Sequence, residues 1–145
     1  METAGYSGTP LIKKLGIKEG FRIGLVESPK TFLKDTLGKL PGNAKVISNL
    51  TPPLDVILVF VKAEKALRTR FPILAEKLTA NGMIWVAWPK KSSGVVTDLS
   101  FDVVQHIGLD SGLVDVKICA IDETWSGLKF VYRVKDRARR ASKLT

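Results

Sequence analysis

Two short apolar runs constrain this chain more than any other feature of the sequence. Asp55–Val61 reads DVILVFV and Met83–Trp88 reads MIWVAW, so each is almost entirely apolar over the length of one strand. A strand with one solvated face alternates apolar and polar residues, whereas a parallel strand covered on both faces does not. Both runs are also much shorter than the ~20 residues that span a bilayer. The sequence therefore predicts a parallel sheet buried between two layers of helices.

Turn and cap signals divide the rest of the chain into alternating helices and strands. Helices are predicted after Thr9-Pro10 and Ser28-Pro29, over Ala63–Thr79 with a kink at Pro72, and over Phe101–Ile107 behind the cap Ser100. Further strands are predicted at Phe21–Val26, Ala44–Ser48, Leu113–Ile121 and Leu128–Val134. The short linker DETWSG joins the last two strands as an antiparallel hairpin. The predicted fold class is α/β: a three-layer, Rossmann-like, mostly parallel sheet of about six strands with a C-terminal antiparallel hairpin.

The net charge of +9 is concentrated at the C-terminus. The chain has 145 residues, which suits one α/β domain, and we expect that domain over residues 1–134. The last 13 residues carry six basic side chains against one acidic side chain, and no apolar period follows Val134. Residues 135–145 are therefore expected to be a disordered basic tail. Such a tail either grips nucleic-acid phosphates, through Arg137, Arg139, Arg140 and Lys143, or only aids solubility.

Several classes of protein are excluded by what the sequence lacks. It has one cysteine, Cys119, and one histidine, His106, whereas a structural zinc site needs about four such ligands, so no metal is expected. Cys119 lies within a predicted strand and is interpreted as an inert core thiol. His106 is interpreted as a structural or surface residue of a helix. The start, METAGYSGTP, has no signal-peptide pattern, so a cytoplasmic location and no membrane association are expected.

The order of the predicted elements from Asp55 to Val134 resembles the second half of class I, S-adenosylmethionine-dependent methyltransferases. More closely, the whole chain resembles a family of small bacterial proteins known only as a domain of unknown function. The segments that carry this resemblance are YSGTPLIKKLGIKEG (Tyr6–Gly20), WVAWPKKSSGVVTDL (Trp85–Leu99) and GLVDVKICAIDETWSGLKFV (Gly112–Val131). The resemblance implies a Rossmann-like fold, trimmed by one strand–helix unit, and brings no activity with it.

Two cofactor-binding elements of that fold are missing from the sequence. Methyltransferases of this kind have a glycine-rich loop after the first strand, and related folds place an acidic residue after the second. Here Glu27–Phe32 reads ESPKTF, without glycine and with Pro29 removing an N–H donor. The second strand ends at Ser48 and Asn49, which are not acidic. We therefore expect no cofactor, S-adenosylmethionine included, and assign no catalytic residue.

The carboxyl ends of the strands are where a parallel sheet binds ligands. Four segments are predicted to meet at this carboxyl edge of the sheet: Glu27–Lys30, Lys62–Glu64, Trp88–Lys91 and Asp122–Trp125. The segment Tyr6–Thr9 is predicted to fold over the same edge. The candidate ligand-binding residues are Trp88 and Trp125 for stacking, Lys90 and Lys91 for a phosphate or carboxylate, and Asp122 and Glu123 for hydrogen bonding. Each also has a structural interpretation: a packing cap for Trp88, a solvated loop for the lysines and a turn cap for the two acids.

These observations leave several functions open. The main hypothesis is a non-catalytic domain, monomeric or homodimeric, that binds a small anionic or nucleotide-like ligand or a protein partner at the carboxyl edge. The alternatives are a nucleic-acid accessory protein acting through the basic tail and a divergent methyltransferase-like enzyme. An enzyme of another type would use Asp122 or Glu123 as its acid or base.

Overall fold

Six strands form one sheet in the computed structural model, which describes residues 9–144 and the side chains as far as residue 142. The strands are β1 (Arg22–Val26), β2 (Lys45–Val46), β3 (Leu54–Phe60), β4 (Leu78–Pro89), β5 (Leu113–Ala120) and β6 (Trp125–Tyr132). Their order is β2-β1-β3-β4-β6-β5; the first four are parallel, and β6 is antiparallel to both of its neighbours. The predicted α/β fold, with its mostly parallel sheet and C-terminal hairpin, is confirmed. The predicted Tyr6–Gly8 flap lies outside the described residues.

Helices cover both faces of the sheet. They are α1 (Leu11–Leu15), α2 (Glu64–Ala75), α3 (Phe101–Asp110) and α4 (Val134–Leu144), and a π-type helical segment, Phe32–Leu37, follows β1. Leu67 of α2 and Val104 of α3 pack in one apolar cluster, whereas Leu15 of α1 and Phe32 pack in the other. The predicted cap is confirmed, because the Ser100 hydroxyl accepts a hydrogen bond from the Val103 amide at 3.3 Å. No helix within residues 9–144 is long and apolar enough to cross a membrane.

The continuous apolar run of β3 is explained by burial on both of its faces. Val56 and Leu58 point into the α1 layer, and Ile57 and Val59 point into the layer of α2 and α3. All four are buried, and each such side chain contributes roughly 1.5–3 kcal/mol on burial. Trp85 of β4 is also fully buried, and its indole Nε1 donates to the Leu15 carbonyl at 3.0 Å, so its predicted core position is confirmed.

The C-terminal segment is a helix, where a disordered tail was expected. Arg140 of α4 is only 6% exposed, and its guanidinium donates to the carbonyls of Ala75, Glu76 and Leu78. The same group lies 3.0 Å from the Glu76 carboxylate and 5.3 Å from the centre of the Tyr132 ring. The sequence of this segment has no apolar periodicity because the buried guanidinium of Arg140, rather than an apolar face, attaches α4 to the sheet. Arg140 occupies the carbonyl end of α2, where cations are favourable.

Candidate ligand-binding crevice

The strand order reverses beside β1, and a cavity lies at that point. The chain passes from β1 to β2 on one side and returns to β3 on the other, so the loops that leave β1 and β3 diverge. Open parallel sheets bind ligands at such a switch point. The cavity there has a volume of about 530 Å³, within the ~300–1,000 Å³ typical of small-molecule sites. This switch-point crevice is lined by Glu27, Pro29, Phe60, Val61, Lys62, Ala63, Ala66, Arg70 and Trp125.

Two aromatic rings form one wall of the switch-point crevice. Phe60 ends β3 and Trp125 begins β6, and their ring centroids are 5.0 Å apart at 87°. Phe60 is held in turn by Phe32, with centroids 4.9 Å apart at 69°. Edge-to-face pairs of this kind fix ring orientation. Trp125 remains partly exposed, so the sequence-predicted stacking residue has a free surface toward the crevice.

The crevice also presents one carboxylate and two cations. Glu27 follows β1, Lys62 follows β3, and Arg70 lies on α2. Within residues 9–144, none of these three side chains forms an ion pair. Glu27 has a φ of 54°, a left-handed conformation that is strained for a residue with a Cβ. Charged groups of both signs are therefore available here to a ligand.

The loop after β3 is held in place by the segment that follows β4. The Thr97 hydroxyl donates to the Lys62 carbonyl at 2.5 Å, and the Asp98 carboxylate accepts from the Glu64 amide at 2.7 Å. Asp98 thereby satisfies a free amide in the first turn of α2, where a negative charge is favourable. The floor of the crevice is therefore fixed by side chains outside its lining.

Asp122 and Lys90 build the β5–β6 turn. The Asp122 carboxylate accepts from the amides of Thr124 and Trp125 at 2.8 and 2.9 Å. The Lys90 amide donates to the Thr124 carbonyl at 2.8 Å, which ties this turn to the end of β4. Glu123 lies exposed at the tip. The turn-cap interpretation of Asp122 is therefore the one that the geometry supports, and Asp122 holds Trp125 in position.

The two candidate tryptophans lie on opposite faces of the sheet. Trp88 is 6% exposed and packs in the cluster of α2 and α3, whereas Trp125 packs in the cluster of α1. Their separation follows from register, because Trp125 is paired with Pro89, and successive residues of a strand point to opposite faces. Lys91 is exposed in a separate helical turn. Of the six predicted residues, only Trp125 lines the switch-point crevice.

Sequence reasoning missed Arg70 and Ala66 of α2. Ala63, Ala66 and Arg70 recur at helical spacing, which places them on one side of the helix that starts at the carboxyl edge. That spacing was readable from the sequence, but it carries no apolar signal. Phe60 was also missed as a site residue, because it belongs to the buried run of β3.

Three of the four predicted phosphate-binding residues of the C-terminus contact their own chain. Arg137 donates from Nε to the Tyr132 carbonyl at 3.1 Å, and Arg140 is buried as described. Arg139 lies 3.3 Å from the Asp136 carboxylate, with its side chain 82% exposed. The side chain of Lys143 lies outside the described part of the chain. A nucleic-acid grip by these four residues therefore stays a prediction, with Arg139 as its most accessible member.

His106 occupies the surface position of a helix that the sequence indicated, whereas Cys119 is less buried than the predicted core thiol. The His106 side chain is 69% exposed, and its Nε2 lies 3.5 Å from the Asp110 carboxylate. Cys119 is partly exposed, and burial raises the pKa of its thiol, which opposes thiolate formation. Within residues 9–144, no group of three or more histidine, cysteine or acidic residues is placed to hold a metal ion.

Comparison with known proteins identifies the fold. No protein-family model matches the sequence, and no curated protein matches it either. A S-adenosylmethionine-dependent methyltransferase from Aquifex aeolicus superposes with a TM-score of 0.58 at 13% identity, over 83% of this chain and 86% of that one. A precorrin-6y C5,15-methyltransferase from Geobacter metallireducens gives 0.55 at 7% identity, over 85% and 86%. The chain therefore has the fold of class I methyltransferases.

A third structure bears on the cofactor. Magnesium protoporphyrin IX methyltransferase from Synechocystis, with bound S-adenosylhomocysteine, superposes with a TM-score of 0.54 at 8% identity, over 85% of this chain and 78% of that one. The same enzyme has also been solved with S-adenosylmethionine. These neighbours overturn the expectation that S-adenosylmethionine is excluded. A glycine-free loop removes one way of holding a ligand, but side chains from neighbouring elements can supply another.

Proposed function

We propose that the switch-point crevice binds S-adenosylmethionine and that the protein is a divergent methyltransferase-like enzyme. The observation that carries this proposal is the open cavity of about 530 Å³ between the ends of β1 and β3. It lies at the switch point of a fold whose solved neighbours include a methyltransferase with S-adenosylmethionine or S-adenosylhomocysteine bound. The cavity is also the place where physical reasoning about open sheets puts a nucleotide-like ligand.

The residues of the crevice fit the parts of this ligand. An adenine ring suits the wall formed by Phe60 and Trp125. The carboxylate of the methionine part would pair with Arg70 or Lys62, and ribose hydroxyls or the ammonium would donate to Glu27. Ala63 and Ala66 are small, so a ligand can approach α2 closely. The adenine ring, the carboxylate and either the ribose or the ammonium therefore have counterparts among the lining residues.

The manner of binding would differ from that of a glycine-rich loop. The loop after β1 lacks glycine, and Pro29 lines the crevice with a ring that has no N–H to donate. Side chains rather than backbone amides would hold the ligand. When bound, S-adenosylmethionine supplies a methyl group on a sulfonium centre. The chain's own residues orient the ligand and exclude water on the side of the aromatic wall.

Two of the segments that carry the resemblance to the small bacterial family lie around the proposed binding site. Residues of one characteristic segment, Trp85–Leu99, support the crevice without lining it, and Trp125 of another, Gly112–Val131, lines it. Thr97 and Asp98 fix the loop after β3, and the Lys90 amide fixes the turn that carries Trp125. We infer that these segments build the site, while Glu27, Lys62 and Arg70 contact the ligand.

Titration calorimetry with S-adenosylmethionine and S-adenosylhomocysteine tests this function. Wild-type protein should bind at least one of them, and Arg70→Ala should weaken binding about tenfold, which corresponds to about 1.4 kcal/mol. Arg68→Ala is the matched control, because Arg68 lies on the same helix and pairs with Glu64 at 2.9 Å. Its affinity should stay within about twofold of wild type. No binding by wild type, or equal losses in the two variants, contradicts the proposal.

Two further measurements separate the proposal from its alternatives. If ATP or inorganic phosphate binds in an Arg70-dependent way and S-adenosylmethionine does not, the site belongs to a general nucleotide or anion ligand. Transfer of a labelled methyl group to candidate acceptors addresses catalysis separately. Tight binding in which no acceptor becomes labelled would identify a non-catalytic relative.

A further inference from the structure

Four lysines gather on the sheet face that carries α1, outside the switch-point crevice. Lys117 of β5 and Lys129 of β6 are direct cross-strand partners. The Lys117 ammonium donates to the Lys14 carbonyl at 3.5 Å, which places it beside α1. Burial lowers the pKa of Lys129, and the nearby charges of Lys117 and Lys18 lower it further. We refer to Lys14, Lys18, Lys117 and Lys129 as the lysine cluster.

The lysine cluster works against folding. Like charges directly opposite each other in a sheet are destabilising, and partial burial of Lys129 adds a desolvation cost. Within residues 9–144, no carboxylate forms an ion pair with Lys18, Lys117 or Lys129. The charges of Lys18, Lys117 and Lys129 therefore lie close together without an ion pair to the described part of the chain. An external anion would relieve this repulsion.

We propose that the lysine cluster binds the phosphates of a single nucleic-acid strand. Lysines act as point charges toward phosphates, and a group of lysines matches a repeating polyanion better than it matches one small anion. Lys18 and Lys117 are exposed, so a strand could reach them without a conformational change. The proposal goes beyond cofactor binding and stands without it. It also places the contact with nucleic acid on the sheet face that carries α1, and not on the C-terminal arginines.

A lipid surface is the main competing partner. Val116 and Ile118 flank Lys117 in sequence and are each 53% exposed, although Ile118, paired with Leu128 of the α2 and α3 cluster, lies on the opposite face of the sheet from Lys117. Exposed apolar groups near lysines also occur in membrane-binding proteins. Such binding usually uses an amphipathic helix with its apolar face turned to the lipid. Around the lysine cluster, however, the apolar side of α1 faces the protein core through Leu15. Nucleic acid is therefore the favoured partner, and anionic vesicles are one arm of the test.

Fluorescence anisotropy with a labelled single-stranded RNA of about 20 nucleotides tests the proposal across a range of salt concentrations. Three double variants remove the same amount of charge from the full chain. They are Lys117→Gln/Lys129→Gln in the lysine cluster, Lys135→Gln/Arg139→Gln in α4, and Lys39→Gln/Lys65→Gln at other exposed positions. The cluster variant should bind about tenfold more weakly, and its log–log salt slope should fall by about 1.4. The other two should stay within about threefold of wild type.

Every other result overturns the proposal in an identifiable way. Equal losses in all three variants indicate net charge alone, and a loss confined to the α4 variant indicates the C-terminal arginines. Binding to phosphatidylserine vesicles but not to RNA indicates a membrane, and no RNA binding by wild type at low salt refutes the site. The cluster variant should melt at or above the wild-type temperature, because it relieves repulsion. If it unfolds instead, the exposed single variant Lys117→Gln should still lose about threefold in affinity.

Discussion

The two edges of the sheet use charged side chains in different ways. At the amino edge, where β4 begins, the Arg140 guanidinium is buried and hydrogen-bonded to three backbone carbonyls and a carboxylate. At the carboxyl edge, Glu27, Lys62 and Arg70 line an open cavity and form no ion pair with another residue of the 9–144 segment. A charge whose partners are all internal holds the fold together. A charge without an internal partner is available to a ligand.

The largest effect on stability is expected at the amino edge. Arg140→Ala should lower the free energy of unfolding by about 3 kcal/mol, because it removes the guanidinium donor of the Glu76 and Leu78 carbonyls and one of the two donors of the Ala75 carbonyl. Arg139→Ala, one residue away and largely exposed, should change it by less than about 0.5 kcal/mol. Urea unfolding measures both variants. If the two variants lose equal amounts of stability, α4 is not held in place by Arg140.

A smaller effect is expected from the Tyr132 hydroxyl at the same edge. It donates to the Ala75 carbonyl at 2.6 Å, and Tyr132→Phe removes this bond while keeping the ring under Arg140. The free energy of unfolding should fall by about 1 kcal/mol, the usual net contribution of one hydrogen bond. Affinity for S-adenosylmethionine should be unchanged, since Tyr132 is far from the crevice along the strand. A change in affinity would show that the two edges are coupled.

At the carboxyl edge, by contrast, one substitution is expected to increase stability. Glu27→Gly should raise the free energy of unfolding by about 0.5 kcal/mol, because glycine adopts a φ of 54° without a Cβ penalty. The same variant should bind the ligand more weakly, since it removes the carboxylate. Glu27→Gln is the control: it keeps the backbone strain, so only binding should change. If Glu27→Gly and Glu27→Gln both raise the free energy of unfolding, backbone strain at Glu27 is not the cause.

The smallest effect is a dependence on alkaline pH. Burial raises the pKa of Tyr132 above its ordinary value of 10.0, against the opposing influence of the Arg140 charge. A raised pKa means that the neutral phenol stabilises the fold fully below pH 10 and that this contribution disappears as pH rises through the folded-state pKa. The phenolate absorbance of wild type, minus that of Tyr132→Phe, should therefore titrate above 10. A difference titration below 10 would contradict the burial of this group.

The location of the site was more predictable than its composition. The sequence placed Glu27–Lys30, Lys62–Glu64 and Trp125 at one edge, because buried parallel strands end there in order. It also grouped Trp88 with Trp125, and it treated Asp122 as a candidate ligand residue. Both assignments depend on register and turn geometry: the pairing of Pro89 with Trp125 sends the indoles to opposite faces, and the Asp122 carboxylate is occupied by two amides.

The sequence by itself determined the sheet and its hairpin, and the tertiary structure decided which charges are structural. Burial on both faces requires a strand to be apolar throughout, so β3 and β4 are visible in local composition. The role of Arg140 depends on carbonyls more than 60 residues earlier in the chain, and no local pattern records such a contact. The same holds for the lysine cluster, because Lys14 and Lys117 come together only when the sheet forms. Element type follows from neighbours in sequence, whereas the use of a charged side chain follows from neighbours in space.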